Sequence, residues 1–138
     1  MFIDASAIVA ILAREPGYEE IEKRLSDVPG PFLVSPLVKF EAATALARAK
    51  SADRKPSPDM LRRAALAIEA FAQDLGADEM SISPEIGQVA LEASARFGKA
   101  VGHPADLNFG DCFSYACARS AAAPLLYKGY DFARTDLA

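Results

Sequence analysis

At 138 residues the chain suits one domain, expected to span residues 1–138, and is long enough to enclose a hydrophobic core. Its 51% hydrophobic and 25% charged residues exclude a disordered or fibrous chain. A net charge of −4 means that the field of the whole molecule does not attract a polyanion, so nucleic-acid contact would need a local basic patch or bound cations.

The only cysteines, Cys112 and Cys117, lie five apart in a segment that reads as helix. That spacing is neither a redox pair nor a zinc half-site and predicts reduced core residues. Asp4 interrupts any leader-like opening, and no apolar run approaches the roughly 20 residues that cross a bilayer. The expectation is a soluble cytoplasmic protein with no membrane partner.

Along the chain, Phe2-Ile3 reads as a brief strand, followed by helices over Ala7 to Ala13 and Gly17 to Leu25. Pro31 to Val34 reads as a second strand. Ser35-Pro36 then pairs a capping hydroxyl with a proline suited to a first turn, opening a helix to Lys50. Ser51 to Pro58 is a charged, proline-containing loop. Ser57-Pro58 repeats the start signal for a helix to roughly Leu75, where Leu61, Ala65, Ile68 and Phe71 form a stripe assigned mostly to the core. Glu79 to Ile82 reads as a third strand, and Ser83-Pro84-Glu85 opens a helix to Phe97. Gly98 to Gly110 is an ordered loop in which His103 is a loop residue rather than a ligand. Asp111 to Ala122 is an alanine-rich helix, and Pro124 to Tyr127 a fourth strand with a turn at Gly129.

Strands alternating with helices predict an α/β fold, a central parallel sheet flanked by helices on both faces. Ligands of such sheets bind beyond the carboxyl ends of the strands. Asp4 ends the first strand there, either as a helix cap or as a functional carboxylate. Glu41 falls inside the apolar arc of Leu37, Val38, Ala42, Ala45, Leu46 and Ala49. A charge facing a core needs an ion-pair partner or a metal. Asp111 at a helix start and Asp131 after the fourth strand are each explicable singly, as a dipole-favoured acid and a turn residue. Together the four predict carboxylates converging on one crevice, for which a divalent cation is the natural remedy. Magnesium suits an all-oxygen donor set, with ligands at about 2.0–2.1 Å. It could orient a phosphodiester and acidify a bound water, and two ions ~3.5–4 Å apart could serve the attacking and leaving oxygens. Neither a Ser–His pairing nor a glycine-rich phosphate loop is in evidence, and the two-aspartate pattern of phosphoaspartyl phosphatases is missing after Asp4.

Three separated stretches resemble PIN-domain ribonucleases, particularly VapC-type toxins. They are the opening Met-Phe-Ile-Asp-Ala-Ser, the run from Asn108 to Ala116, and the ending from Pro124 to Asp136; Glu41 lies in Val-Lys-Phe-Glu-Ala as the family's helix glutamate does. The resemblance implies a PIN-like fold and magnesium-dependent endonucleolytic cleavage of RNA, with manganese as a substitute. It implies Asp4 and Asp111 as principal metal ligands, Glu41 as a further ligand or the positioner of the hydrolytic water, and Asp131 as the fourth acid. Ser6 and Asn108 would orient the carboxylates. Tyr130 departs from the small polar or acidic residue common in relatives, leaving Asp136 as a secondary candidate for the last acid. The family also implies a homodimer and a cognate antitoxin that inserts a cationic side chain among the acids.

Basic residues Arg48, Lys50, Arg54, Lys55, Arg62 and Arg63 are the densest run and are either RNA contacts or a solvated face. Two other functions stay open at this level. One is a PIN-type nuclease in RNA processing, or acting on DNA, without an antitoxin. The other is a non-catalytic binding module whose acids are caps and ion pairs.

Overall fold

The computed structural model describes residues 1–52 and 54–137; Asp53, inside the expected loop, and Ala138 lie outside the described residues. Among the described residues, four short strands form one all-parallel sheet, with six α-helices flanking it on both faces. The strands are β1 (Phe2–Ile3), β2 (Leu33–Val34), β3 (Asp78–Glu79) and β4 (Leu125–Leu126), in the order β3-β2-β1-β4. The central β1 is fully buried, as is β4, which explains why both read as unbroken apolar pairs. Phe2 pairs with Leu33 on one side and Leu125 on the other.

The helices are α1 (Ala5–Ala13), α2 (Tyr18–Ser26), α3 (Pro36–Lys50), α4 (Pro58–Leu75), α5 (Pro84–Phe97) and α6 (Phe109–Ser120). The three Ser-Pro signals all act as expected. The hydroxyls of Ser35, Ser57 and Ser83 accept the backbone N–H groups of Val38, Met60 and Ile86 at 3.2, 3.1 and 3.3 Å. Each such cap is worth about 0.5–2 kcal/mol against alanine. At the far end of α4, Gly76 takes the left-handed conformation (φ 64°), and its N–H closes the last turn.

Several boundaries differ from expectation: α1 begins at Ala5 rather than Ala7, β2 and β4 keep only Leu33–Val34 and Leu125–Leu126, and α6 ends at Ser120 rather than Ala122. β3 lies at Asp78–Glu79 rather than Glu79 to Ile82, because its partner β2 is only two residues long before Ser35 begins capping α3. The N–H of Met80 still reaches the carbonyl of Val34 at 2.8 Å, and the ladder then has nothing left to pair with. α6 begins two residues before Asp111, with Asn108 as its cap.

α3 packs on both α1 and α4, α5 packs on α6, and the start of α6 also meets α3. Ile8, Val34, Val38, Leu46, Ile68, Leu107, Leu126 and Phe132 fill the core. On α4 the stripe splits. Ile68 is buried and Phe71 half-buried, whereas Leu61 and Ala65 are exposed beside Phe40 in a groove between α3 and α4. Both cysteines are buried and free, and burial pushes the Cys117 thiol up to about 11. The loop before α6 holds a 3-10 turn at Lys99–Val101, and the His103 ring accepts the N–H of Ala105 through Nδ1 at 3.0 Å.

Candidate active site

Asp4 sits where β1 gives way to α1, its backbone N–H bound to the carbonyl of Leu126 at 2.9 Å. Between β1 and β4 the strand order reverses, so this carboxylate stands at the crevice where such sheets bind ligands. Capping and a freer role turn out to divide between its two oxygens. Oδ2 accepts the Ser6 N–H at 2.8 Å and the Ser6 hydroxyl at 2.6 Å. Oδ1 is buried with no hydrogen-bond partner, in a residue only 3% exposed. An uncompensated buried carboxylate oxygen is costly unless something cationic meets it.

Asp111 is 9% exposed in the first turn of α6. Its Oδ2 accepts the backbone N–H of Asn108 at 2.8 Å, while Asn108 Oδ1 accepts the N–H of Asp111 at 3.1 Å. This reciprocal capping box fixes the carboxylate to the helix start. Asn108 therefore holds Asp111, and the group donating to the carboxylate is its backbone N–H, not its side-chain amide.

Glu41 projects from the buried side of α3 toward the start of α6, where its carboxyl lies against the α-carbon of Gly110. Burial foremost, then the charges of Asp4 and Asp111, raises its pKa from 4.5 to about 7. Burial likewise pushes Asp111 up to about 6; its Asn108 hydrogen bond opposes that shift, and the charges of Asp4, Asp131 and Asp106 add to it. Asp4 and Asp111 thus lie near enough to Glu41, and Asp4 and Asp131 near enough to Asp111, for their charges to be felt, which puts the four acids in one neighbourhood, with Asp131 exposed beyond β4. Asp106, from the loop before α6, adds a smaller negative charge at Asp111 but is exposed and pairs with Lys99 at 4.0 Å. The sequence did not flag the approach of Glu41 to Gly110; its one linear trace is a glycine inside a helix turn rather than after it.

Among the described residues, no ion pair involves Asp4, Glu41, Asp111 or Asp131. Asp4 and Asp111 are helix-capping groups, as the acids of a binding module would be, but the ion pairs that such a module would also need are absent among the described residues. Asp136, by contrast, accepts the Tyr115 hydroxyl at 2.8 Å and pairs with Arg96 at 3.3 Å and Arg119 at 4.0 Å. It is committed to holding the C-terminal segment on α5 and α6.

The Ser6 hydroxyl also accepts the backbone N–H of Lys128 at 3.0 Å, tying the segment after β4 to α1. Lys128 carries its charge to Glu15 at 2.6 Å. Arg48, Lys50, Arg54, Lys55, Arg62 and Arg63 are all exposed, Arg63 paired with Asp59 at 2.9 Å. Arg48 is seven residues beyond Glu41 on α3, and a rise of 1.5 Å per residue puts it about 10 Å further along the helix.

The donors meeting in the crevice are all oxygens, with neither imidazole nor thiolate among them, which suits a hard divalent cation. Among the described residues, no three acidic, His or Cys side chains are yet gathered tightly enough to enclose an ion. Magnesium does not require that, since it binds through one or two carboxylates and retains several waters. The orphaned Asp4 oxygen and the elevated carboxyls fit such an ion.

The family model for the PIN domain matches residues 1–137. A VapC ribonuclease of Rhizobium meliloti is 51% identical over 142 residues, covering 99% of this chain and 98% of its own. A ribonuclease VapC of Mycolicibacterium smegmatis is 36% identical, covering 100% and 98%. The fold is also similar to the crystal structure of a Mycobacterium tuberculosis VapC toxin that cleaves the sarcin–ricin loop, with a TM-score of 0.69 at 21% identity over 96% of this chain and 92% of that one. With the four-stranded parallel sheet and the acid crevice at its switch point, these likenesses have one reading: the chain belongs to the PIN-domain family, among the VapC-type proteins.

Proposed function

We propose that the chain is a magnesium-dependent endoribonuclease, the toxin of a toxin–antitoxin pair, hydrolysing RNA phosphodiester bonds in the crevice between β1 and β4. The observation that carries this reading is the meeting of Asp4, Glu41 and Asp111 with no cationic side chain paired to them and with Asp4 Oδ1 buried bare. Asp4 and Asp111 would hold the metal, manganese serving in place of magnesium, and Asp131 would contribute from the solvent side. When bound, the ion supplies Lewis acidity toward the phosphate and a more acidic water.

The chain's own groups do the rest. Ser6 fixes Asp4 through two hydrogen bonds, and the Asn108 N–H fixes Asp111. Glu41, close enough to Asp4 and Asp111 to feel their charges, would complete the metal site as a further ligand or position the attacking water beside it. Arg48, Lys50 and Arg54 would contact RNA backbone several nucleotides away, a role that carries no base code. An antitoxin offering an arginine to the acids would compete with the metal for the same carboxylates. The exposed apolar side chains Phe40 and Leu61, and Leu91 and Phe109 across α5 and α6, are surfaces available for that partner or for a homodimer. No described helix is long and apolar enough to cross a membrane, and a toxin acting on RNA would work in the cytoplasm.

The test is cleavage of structured RNA by the purified chain with magnesium, with EDTA, and with Asp4→Asn or Asp111→Asn. The expected result is cleavage only by the wild type and only with metal. Activity retained in EDTA or in either variant would contradict the reading, and cleavage of DNA in place of RNA would change its substrate.

A further inference from the structure

Gly110 is the second residue of α6 and is buried. Its backbone is helical and outside the left-handed region, so conformational freedom does not explain it. Alanine there would favour the helix by up to ~1 kcal/mol. What a side chain would meet is specific. A Cβ built on Gly110 stands 2.6 Å from Oε1 and 2.7 Å from Cδ of Glu41, and closer still to Oε2. Those are its three nearest neighbours, and all belong to one carboxyl group. Gly87, also helical, has nothing within 4 Å of the corresponding position. Gly110 is thus a small residue beneath a charged group of the crevice.

We propose that Gly110 is a positioning residue for the acid cluster: by lacking a side chain it lets the Glu41 carboxylate lie flat on the first turn of α6, one residue from Asp111. The inference rests on the nuclease reading for its functional consequence, and on the geometry for the contact itself. A methyl group would turn the Glu41 carboxyl away from Asp4 and Asp111. The obstructed atoms are the free end of a flexible side chain that makes no hydrogen bond or ion pair among the described residues, so the carboxyl can swing aside without unfolding the chain, at a cost that a chain lacking Glu41 escapes. Gly110→Ala should therefore separate stability from function, which a packing role for the glycine would not do.

The test uses the full chain with Gly110→Ala, Glu41→Ala, Glu41→Asp and the double variants. In EDTA, Gly110→Ala is expected to raise the unfolding temperature more in the Glu41→Ala background than in the wild type, because only the latter has a carboxyl to displace. That readout needs no metal and no activity. With Mn2+ as the probe, Gly110→Ala should bind about tenfold or more weakly and lose RNA cleavage to a similar extent, chiefly in kcat rather than KM. Glu41→Asp, one methylene shorter, should weaken Mn2+ binding alone but cost nothing further beside Gly110→Ala. Equal stability increments in both backgrounds, or wild-type Mn2+ binding by Gly110→Ala, would overturn the proposal. If instead the wild type neither binds Mn2+ nor cleaves RNA while the stability coupling persists, the nuclease reading fails and the contact stands.

Discussion

Ser6 accepts the N–H of Lys128 through its hydroxyl and turns the same hydroxyl onto Asp4, linking two segments 122 residues apart through one oxygen atom. The chain leaving β4 is thereby held against the carboxylate that ends β1. Removing the hydroxyl frees one oxygen of Asp4 from a 2.6 Å hydrogen bond and strips a backbone donor of its acceptor. Ser6→Ala is expected to cost on the order of 1–3 kcal/mol and about 10–100-fold in metal affinity or cleavage. Ser6→Thr, which keeps the hydroxyl, should recover much of both. Thermal melts with Mn2+ titrations check the pair, and an alanine variant that melts and binds like the wild type would remove Ser6 from the site.

Asn108 does two things through one reciprocal pair of bonds. Its side chain caps α6, and its backbone holds Asp111. Asn108→Ala deletes the cap and should destabilise the chain by about 1 kcal/mol. The backbone donor survives the substitution, so Asp111 keeps its 2.8 Å partner and metal binding should fall only slightly. A large loss of Mn2+ affinity with no loss of stability would mean that the amide itself reaches the metal shell.

The pH dependence of the metal-free chain follows from Glu41. Its folded pKa of about 7 lies above the ordinary 4.5, so between those values the folded state keeps a proton that the unfolded chain has lost. Stability therefore falls as pH rises from about 4.5 to about 7 and stays reduced above that, and Asp111 acts in the same direction up to about 6. Glu41→Gln should match the wild type near pH 4 and exceed it near pH 8 by on the order of 1–2 kcal/mol, allowing for solvent screening of a half-exposed group. Added Mg2+ at pH 8 should raise the wild-type unfolding temperature more than that of Glu41→Gln. Denaturant melts in EDTA across that range provide the check, and a wild-type stability that climbs between pH 5 and 7 would reverse the assigned sign.

What could be read from the residues was what local chemistry writes. Three Ser-Pro pairs marked three helix starts because a cap is satisfied within four residues of itself. Glu41 stood out because the helical period placed a charge on a buried arc. The Asn-x-x-Asp spacing from 108 to 111 is also a legible capping box, and it places the start of α6 at Phe109. The position of β3 was not legible, since it depends on how soon a different strand ends. Nor could the period say that Ile68 is covered while Leu61 is not, because that is decided by where α3 lies across α4. The pressing of Glu41 on Gly110 belongs to the same class: two residues 69 apart meet only because α3 and α6 start at the same edge of the sheet.

Two acids near the C-terminus compete for the role of fourth carboxylate, and the structure separates them by their company. Among the described residues Asp131 has no ion pair, and it adds to the negative field at Asp111. Asp136 is spoken for by Tyr115, Arg96 and Arg119, which hold its carboxyl below the usual range. Asp131→Asn should leave the metal-free unfolding temperature unchanged or slightly higher, since a repulsive charge is removed, while weakening Mn2+ binding and cleavage by roughly tenfold. Asp136→Ala should do the reverse. It forfeits the Tyr115 hydrogen bond and two partly exposed ion pairs, a loss of about 1–2 kcal/mol, and keeps metal affinity. Melting both variants in EDTA and titrating both with Mn2+ gives four numbers. If the metal-binding loss falls on Asp136 rather than Asp131, the C-terminal segment must rearrange on binding the ion, and the hydrogen-bonded, ion-paired Asp136 seen here is a resting arrangement.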